Sequence, residues 1–167
     1  MYTLHYKTPD GFSDMEMQSD GEVLTRLVFL GSRDENKLFP ERNEGVSLPV
    51  FRETVRYLDL YFRGEIPDFL PPYRLVGATP FRTAVSELML KIPYGETVSY
   101  GALGKELARM AGKEKMSAQA VGGAVGWNPI CILIPCHRVI GTDGSIVGYG
   151  GGIENKRRLL ALEAAHK

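Results

Sequence analysis

The sequence predicts a mixed α+β fold: an N-terminal antiparallel β-sheet unit carrying one helix, then a mostly helical unit with one short buried strand. Three observations predict it. Near the N-terminus, short strand-forming runs are separated by Asp10-Gly11 and Asp20-Gly21, which are strong hairpin signals. From Thr79 onward the pattern changes to helices with recognisable caps. The helical pattern is interrupted by Ile130 to Ile134, an apolar run of strand length closed by Pro135, which cannot donate to a sheet ladder.

In order, Tyr2 to Lys7, Phe12 to Gln18 and Glu22 to Phe29 read as strands of a meander. Gly31 to Ser47 is polar, lacks periodicity and reads as loop without a catalytic constellation. His5 stands alone and reads as a strand residue. Pro49 to Gly64 reads as an amphipathic helix, with Phe51, Val55, Leu58 and Phe62 on one face. Gly64 stops it, and Pro67, Pro71 and Pro72 mark an extended connector. The domain boundary is expected at about residue 76, giving units 1–76 and 77–167.

In the second unit Thr79 caps a helix that starts at Pro80 and runs through Leu90. Ser99 caps a second helix, ended by Gly112, and Ser117 caps a third, running to about Val125. The latter two form a helix-turn-helix, an arrangement common in DNA-binding proteins and also found elsewhere. The third helix is almost without bulk, because Ala118, Ala120, Gly122, Gly123, Ala124 and Gly126 supply most of it. Glycine in a helix costs about 1 kcal/mol against alanine, so close approach of another backbone, protein or nucleic acid, is expected there. Gly141 to Gly152 is a glycine-rich loop without the Gly-Lys-Ser/Thr ending of a phosphate-binding loop. Glu154 to Ala165 forms a last helix whose Lys156, Arg157 and Arg158 suit a phosphate or a solvated face, the second being the preferred reading for each.

Composition narrows the function. Of the 167 residues, 20 are Lys or Arg and 20 are Asp or Glu, a net charge of zero. Residues 1–90 hold 10 basic against 14 acidic residues, and residues 91–167 hold 10 against 6, so the C-terminal half suits a phosphate-bearing partner. No apolar run is long enough to span a bilayer, and no secretory signal pattern opens the chain. Two closely spaced cysteines do not make a disulfide framework, so a reducing cytoplasm is the expected setting.

The chemistry concentrates after Pro135. Cys131, inside the apolar run, reads as a buried small hydrophobe. Cys136 follows the proline and precedes His137 and Arg138, so it reads as a candidate nucleophile. A cysteine attacks as thiolate and ordinarily titrates near pH ~8.5, so it needs a nearby base. Adjacent side chains on an extended strand point to opposite faces; Cys136 and His137 therefore pair through a turn or a bridging water.

Pro135-Cys136-His137-Arg138-Val139 resembles the active-site motif of the O6-alkylguanine-DNA alkyltransferases, the methylated-DNA–protein-cysteine methyltransferases. The resemblance extends over Ile92-Pro93-Tyr94-Gly95-Glu96, Ser99-Tyr100-Gly101, Ala120-Val121-Gly122-Gly123-Ala124, Asn128-Pro129, Gly148-Tyr149-Gly150-Gly151-Gly152, Lys156, Leu159-Leu160 and Glu163. It covers nearly all of residues 79–163, and the ordered set is highly specific. It implies a ribonuclease H-like first domain and a winged-helix-like second one.

The resemblance also implies roles. Cys136 would take the alkyl group from O6 of guanine in duplex DNA, irreversibly and once per molecule, with the nucleotide flipped out of the stack. His137 would act as base through a bridging water, oriented by Glu163. Tyr100 would donate to the guanine ring nitrogen as the base departs, and Asn128 would hold the turn that leads to the site. The carbonyls of Cys136 and Val139 would accept from the exocyclic amine, and the amides of Tyr149 and Gly150 would approach O6. Arg138 would serve as an ion-pair partner. Ser117, Gln119, Ala120 and Gly123 would meet the DNA. A monomer is implied, with no metal or other cofactor. The zinc ligands some members carry in the first domain are missing. Three positions depart from the common pattern: Ser86 stands where many members have tryptophan, Gln119 where most have arginine, and Gly150 where some have serine. A lesion sensor without transfer is the alternative that Cys136 argues against. A cysteine hydrolase would need a distant histidine, and His5 and His166 are poorly placed for it.

Overall fold

The computed structural model describes all 167 residues. Strands β1 (Tyr2–Tyr6), β2 (Met15–Ser19) and β3 (Leu24–Phe29) form an antiparallel sheet in chain order. The register places Met17 opposite both Leu4 and Leu27. Strand alternation predicts polar residues on the outer face, yet every residue of β2 is buried. Residues 39–42 cover that face. Arg42 donates to both oxygens of Glu16, at 2.5 and 2.7 Å, and Gln18 exchanges hydrogen bonds with the backbone of Phe39.

Helix α1 (Pro49–Phe62) packs on β2, and Gly64 ends it at φ 84°. Phe51 and Leu58 point into the core as the periodicity predicts, while Val55 and Phe62 lie at its margin. Tyr61, outside the predicted face, is also buried. Helices α2 (Pro80–Leu90), α3 (Tyr100–Met110) and α4 (Ala118–Trp127) begin at the predicted caps. Thr79, Ser99 and Ser117 accept from the amides of Arg82, Ala102 and Ala120 at 3.2, 3.0 and 3.3 Å. Each such cap satisfies an amide that the helix cannot, an effect worth about 1 kcal/mol. Strands β4 (Val98–Ser99) and β5 (Val139–Ile140) pair in parallel, and α5 (Ile153–His166) closes the fold.

Three local expectations need correction. Arg33–Lys37 within the expected loop is a 3-10 helix, and its Asp34 is buried. Lys156 does not face solvent: it is fully buried on α5, although Arg157 and Arg158 are exposed. The apolar run Ile130 to Ile134 is buried throughout but is not a strand. It pairs with β3 only where the Leu27 amide donates to the Pro129 carbonyl and the Cys131 amide to the Leu27 carbonyl. It then coils: the Ile134 amide donates to the Ile130 carbonyl, and Ile132 takes the left-handed conformation at φ 70°. That conformation is costly for a β-branched residue, on the order of 1–3 kcal/mol. Burying an isoleucine side chain returns about 1.5–3 kcal/mol, and Ile132 is 1% exposed. Burial thus overrides strand propensity, and one packed core joins β2, β3 and α1 to this coil, α2 and α4.

Candidate active site

The coil delivers Cys136 to a 3-10 turn, Cys136–Arg138, that supplies the change of direction the motif requires. Asn128 builds this approach. Its side-chain amide donates to the Ile134 carbonyl at 2.8 Å and to Cys136 Sγ at 3.1 Å, while its Oδ1 accepts from the Ile130 amide at 3.0 Å. One buried side chain therefore closes the coil and holds the sulfur.

Behind the turn lies a charged cluster. Glu163, on α5, accepts from His137 Nε2 at 2.5 Å, from the Tyr61 hydroxyl at 2.6 Å and from Arg138 Nε at 2.7 Å. The Gly95 amide adds a bond at 3.0 Å. Burial alone raises a carboxyl pKa, but the bonds from His137 and Arg138 outweigh it and hold Glu163 well below the usual carboxylate range. An ionised carboxylate only accepts, so His137 carries its proton on Nε2 and Nδ1 is the basic nitrogen. Nδ1 is buried and has no partner within the protein. Burial also lowers the His137 pKa, against the pull of Glu163, which keeps the ring neutral.

Cys136 is 5% exposed and opens on a cleft of about 220 Å³. Contact with the Cys131 thiol, opposed by burial and helped by the Asn128 amide, lowers its pKa to about 7, while Cys131 is pushed well up. Tyr100, at the start of α3, and Tyr149 and Gly150 of the glycine-rich loop line the same cleft. The Val139 carbonyl accepts from Lys156 Nζ at 2.6 Å, and the Val147 carbonyl from the same group at 3.0 Å. Lys156 thereby ties α5 to the loop and to β5.

The N-terminal part contributes side chains that local sequence pattern did not reveal. Arg33 and Asp34 line the cleft. Lys37 pairs with Asp34 at 2.8 Å and donates to the carbonyls of Gly126 and Asn128 at the end of α4. Asp34 Oδ2 accepts from the Cys131 thiol at 3.5 Å, so Cys131 is more than an apolar filler. A Cβ on Gly150 would run into the Asp34 side chain and lie 3.1 Å from the Arg33 guanidinium, so a serine there requires Asp34 to move. No spacing rule links residues 33–37 to residue 150; the contact is tertiary.

The structure therefore brings Cys136, His137, Glu163, Asn128, Tyr100, Val139, Tyr149 and Gly150 together. Ser117, Gln119, Ala120 and Gly123 lie apart, exposed along α4, and Gly122 of that helix borders the cleft. A Cβ at Gly122 or Gly123 would meet open space, so that part of α4 is smooth toward solvent rather than packed.

This arrangement defines a class: a protein with an activated cysteine at the wall of a small cleft, flanked by an exposed helix-turn-helix. Residues 80–165 match the family model described as 6-O-methylguanine DNA methyltransferase, DNA binding domain. The chain is 41% identical over 162 residues to a methylated-DNA–protein-cysteine methyltransferase of Mycobacterium tuberculosis, covering 96% of this chain and 92% of that protein. It is 49% identical over 164 residues to the Mycobacterium leprae protein of the same description, with the same coverage. The crystal structure of Mycobacterium tuberculosis OGT in complex with DNA superposes with a TM-score of 0.82 at 37% identity, covering 99% of this chain and 94% of that one. The chain belongs to the methylated-DNA–protein-cysteine methyltransferase family.

Proposed function

We propose that the protein repairs DNA directly, by moving an alkyl group from O6 of guanine in a duplex onto Cys136. The observation that carries this reading is the environment of Cys136: a thiol held by the Asn128 amide at 3.1 Å, facing a base-sized cleft and followed by a buried histidine whose Nδ1 has no partner within the protein.

Neutral His137, its Nε2–H committed to Glu163, can accept through Nδ1 the proton that a bridging water takes from Cys136. The thiolate attacks the alkyl carbon; the sulfur–carbon bond forms as the carbon–O6 bond breaks. Tyr100 donates to the departing guanine, which takes up a proton. Burial and the nearby thiol raise the Tyr100 pKa, so the phenol keeps its proton and can donate. The carbonyls of Cys136 and Val139 hold the exocyclic amine, and the amides of Tyr149 and Gly150 face O6. The thioether product is stable, so each molecule reacts once.

The cleft admits a base but not a duplex, so the nucleotide must leave the stack. Ser117, Gln119, Ala120 and Gly123 of the helix-turn-helix form the DNA-facing edge, with the protein acting as a monomer. No helix is long and apolar enough to cross a membrane. The reducing cytoplasm suits a protein that depends on a free thiol. The test is incubation with duplex DNA carrying radiolabelled O6-methylguanine, followed by digestion. Label on the peptide containing Cys136 is expected. Tight binding without label would instead identify a lesion sensor.

A further inference from the structure

Tyr61 belongs to α1, in the N-terminal part, yet its hydroxyl donates to Glu163 Oε2 at 2.6 Å. That oxygen is the one His137 Nε2 meets at 2.5 Å, and the Tyr61 oxygen itself lies 3.5 Å from Nε2. All three side chains are buried, with Tyr61 1% exposed. The phenol is fixed from two sides, ring edge to face against Tyr94 and against His137. The phenol does not ionise, because burial and the Glu163 charge push its pKa well up.

We propose that Tyr61 is a positioning residue for alkyl transfer: reaching across from the N-terminal part, it fixes the Glu163 carboxylate and thereby the ring orientation that His137 presents to Cys136. The inference rests on the role of His137 described above and extends that role to the N-terminal part, which so far supplied only scaffold and cleft wall.

The argument is one of shared acceptors. Oε2 receives Tyr61, His137 and, at 3.1 Å, Arg138 Nη2. Donors to one carboxylate oxygen compete for its charge, so each weakens the oxygen as an acceptor for the others. Removing the Tyr61 hydroxyl leaves Oε2 more basic toward Nε2–H, and His137 then holds a second proton more firmly. The other groups acting on His137 are Arg138 and Lys156, both cationic, and neither changes. Removing one competing donor from a shared carboxylate oxygen shifts such an equilibrium by about half a pH unit to one unit.

The test is Tyr61→Phe, read in two ways. In a Cys136→Ser background with ring-labelled histidine, nuclear magnetic resonance follows His137 apart from His5 and His166. The His137 pKa should rise by about half a unit to one unit. In the active protein, transfer at pH values below that pKa should slow about three- to tenfold, equally for free O6-benzylguanine and duplex substrate. Affinity for undamaged DNA should not change. Installing 3-fluorotyrosine at position 61, a stronger donor in nearly the same shape, should move His137 the opposite way. An unmoved His137 in both proteins, or a rate loss that only follows a loss of folded protein, overturns the proposal. A wild-type protein that fails to transfer strikes at the repair reading instead, because the His137 titration does not depend on transfer.

Discussion

Asn128→Ala separates structural from chemical work at one position. Asn128 is 1% exposed and makes three side-chain hydrogen bonds, two that close the coil and one to the reactive sulfur. Alanine leaves the Ile130 amide buried and unpaired, at about 1–3 kcal/mol, and takes from the Ile134 carbonyl one of its two donors, the Cys136 amide remaining at 2.8 Å, at about 0.5–1.5 kcal/mol. The variant should lose about 1.5–4.5 kcal/mol of stability. At about 2–4 °C per kcal/mol for a chain of this size, the melting temperature falls by roughly 3–18 °C. The bond to sulfur adds a separate effect. A hydrogen bond to a charged group is worth about 1.5–3 kcal/mol, or about one to two pKa units. From a starting value near 7, the Cys136 pKa should climb toward ~8–9, cutting the thiolate fraction at pH 7 about five- to fiftyfold. Calorimetry measures the first effect. The second is read from the rate of reaction with O6-benzylguanine between pH 6 and 10, at a temperature where the variant is folded. Wild-type rate should fall as pH drops through about 7, and the variant should lose rate from a higher pH yet recover it in alkali. A folded variant whose pH profile matches wild type would refute the claim that Asn128 tunes the thiol.

Three further outcomes are expected. Cys136→Ser should keep the fold and the affinity for DNA but accept no alkyl group, since an alcohol is barely ionised near neutral pH; labelled substrate and gel-shift titration check both halves. Gln119→Arg should speed repair in a duplex while leaving reaction with free O6-benzylguanine unchanged, because only the duplex reaction includes flipping, and single-turnover kinetics on the two substrates decide it. Gly150→Ser should destabilise the protein by about 1–3 kcal/mol through collision with Asp34 and Arg33, and Asp34→Ala should recover part of the loss; a double-mutant cycle by thermal melting measures the coupling.

The legible features were the local ones. The caps at Thr79, Ser99 and Ser117 satisfy amides three residues away, so local sequence is enough to find them. The motif around Cys136 was equally plain because its parts lie close in the chain. The burial of Ile130 to Ile134 was legible but its coil was not: apolar content does not separate a strand from a coil pinned by one bridge and an asparagine. Tyr61, Lys156 and the Arg33–Lys37 segment were missed or misread for a single reason. Each meets partners on other elements, Tyr61 at Glu163, Lys156 at the carbonyls of Val139 and Val147, and Lys37 at the end of α4, and a buried tyrosine or a lysine carries no local mark of what it will touch.

The dependence of the sulfur on α5 has a consequence for the timing of reactivity during synthesis. Glu163 and Lys156 both sit on that helix, and the histidine behind Cys136 is oriented through the first of them. A ribosome that has just released Cys136 from its exit tunnel has yet to expose α5. Until it does, His137 has no carboxylate to orient it and the thiol has no aligned base. For a protein that spends itself in one reaction, this order withholds the base from the acceptor while the chain is still growing. Stalled nascent chains that display Cys136 but not α5 should react with O6-benzylguanine more slowly than the released protein does.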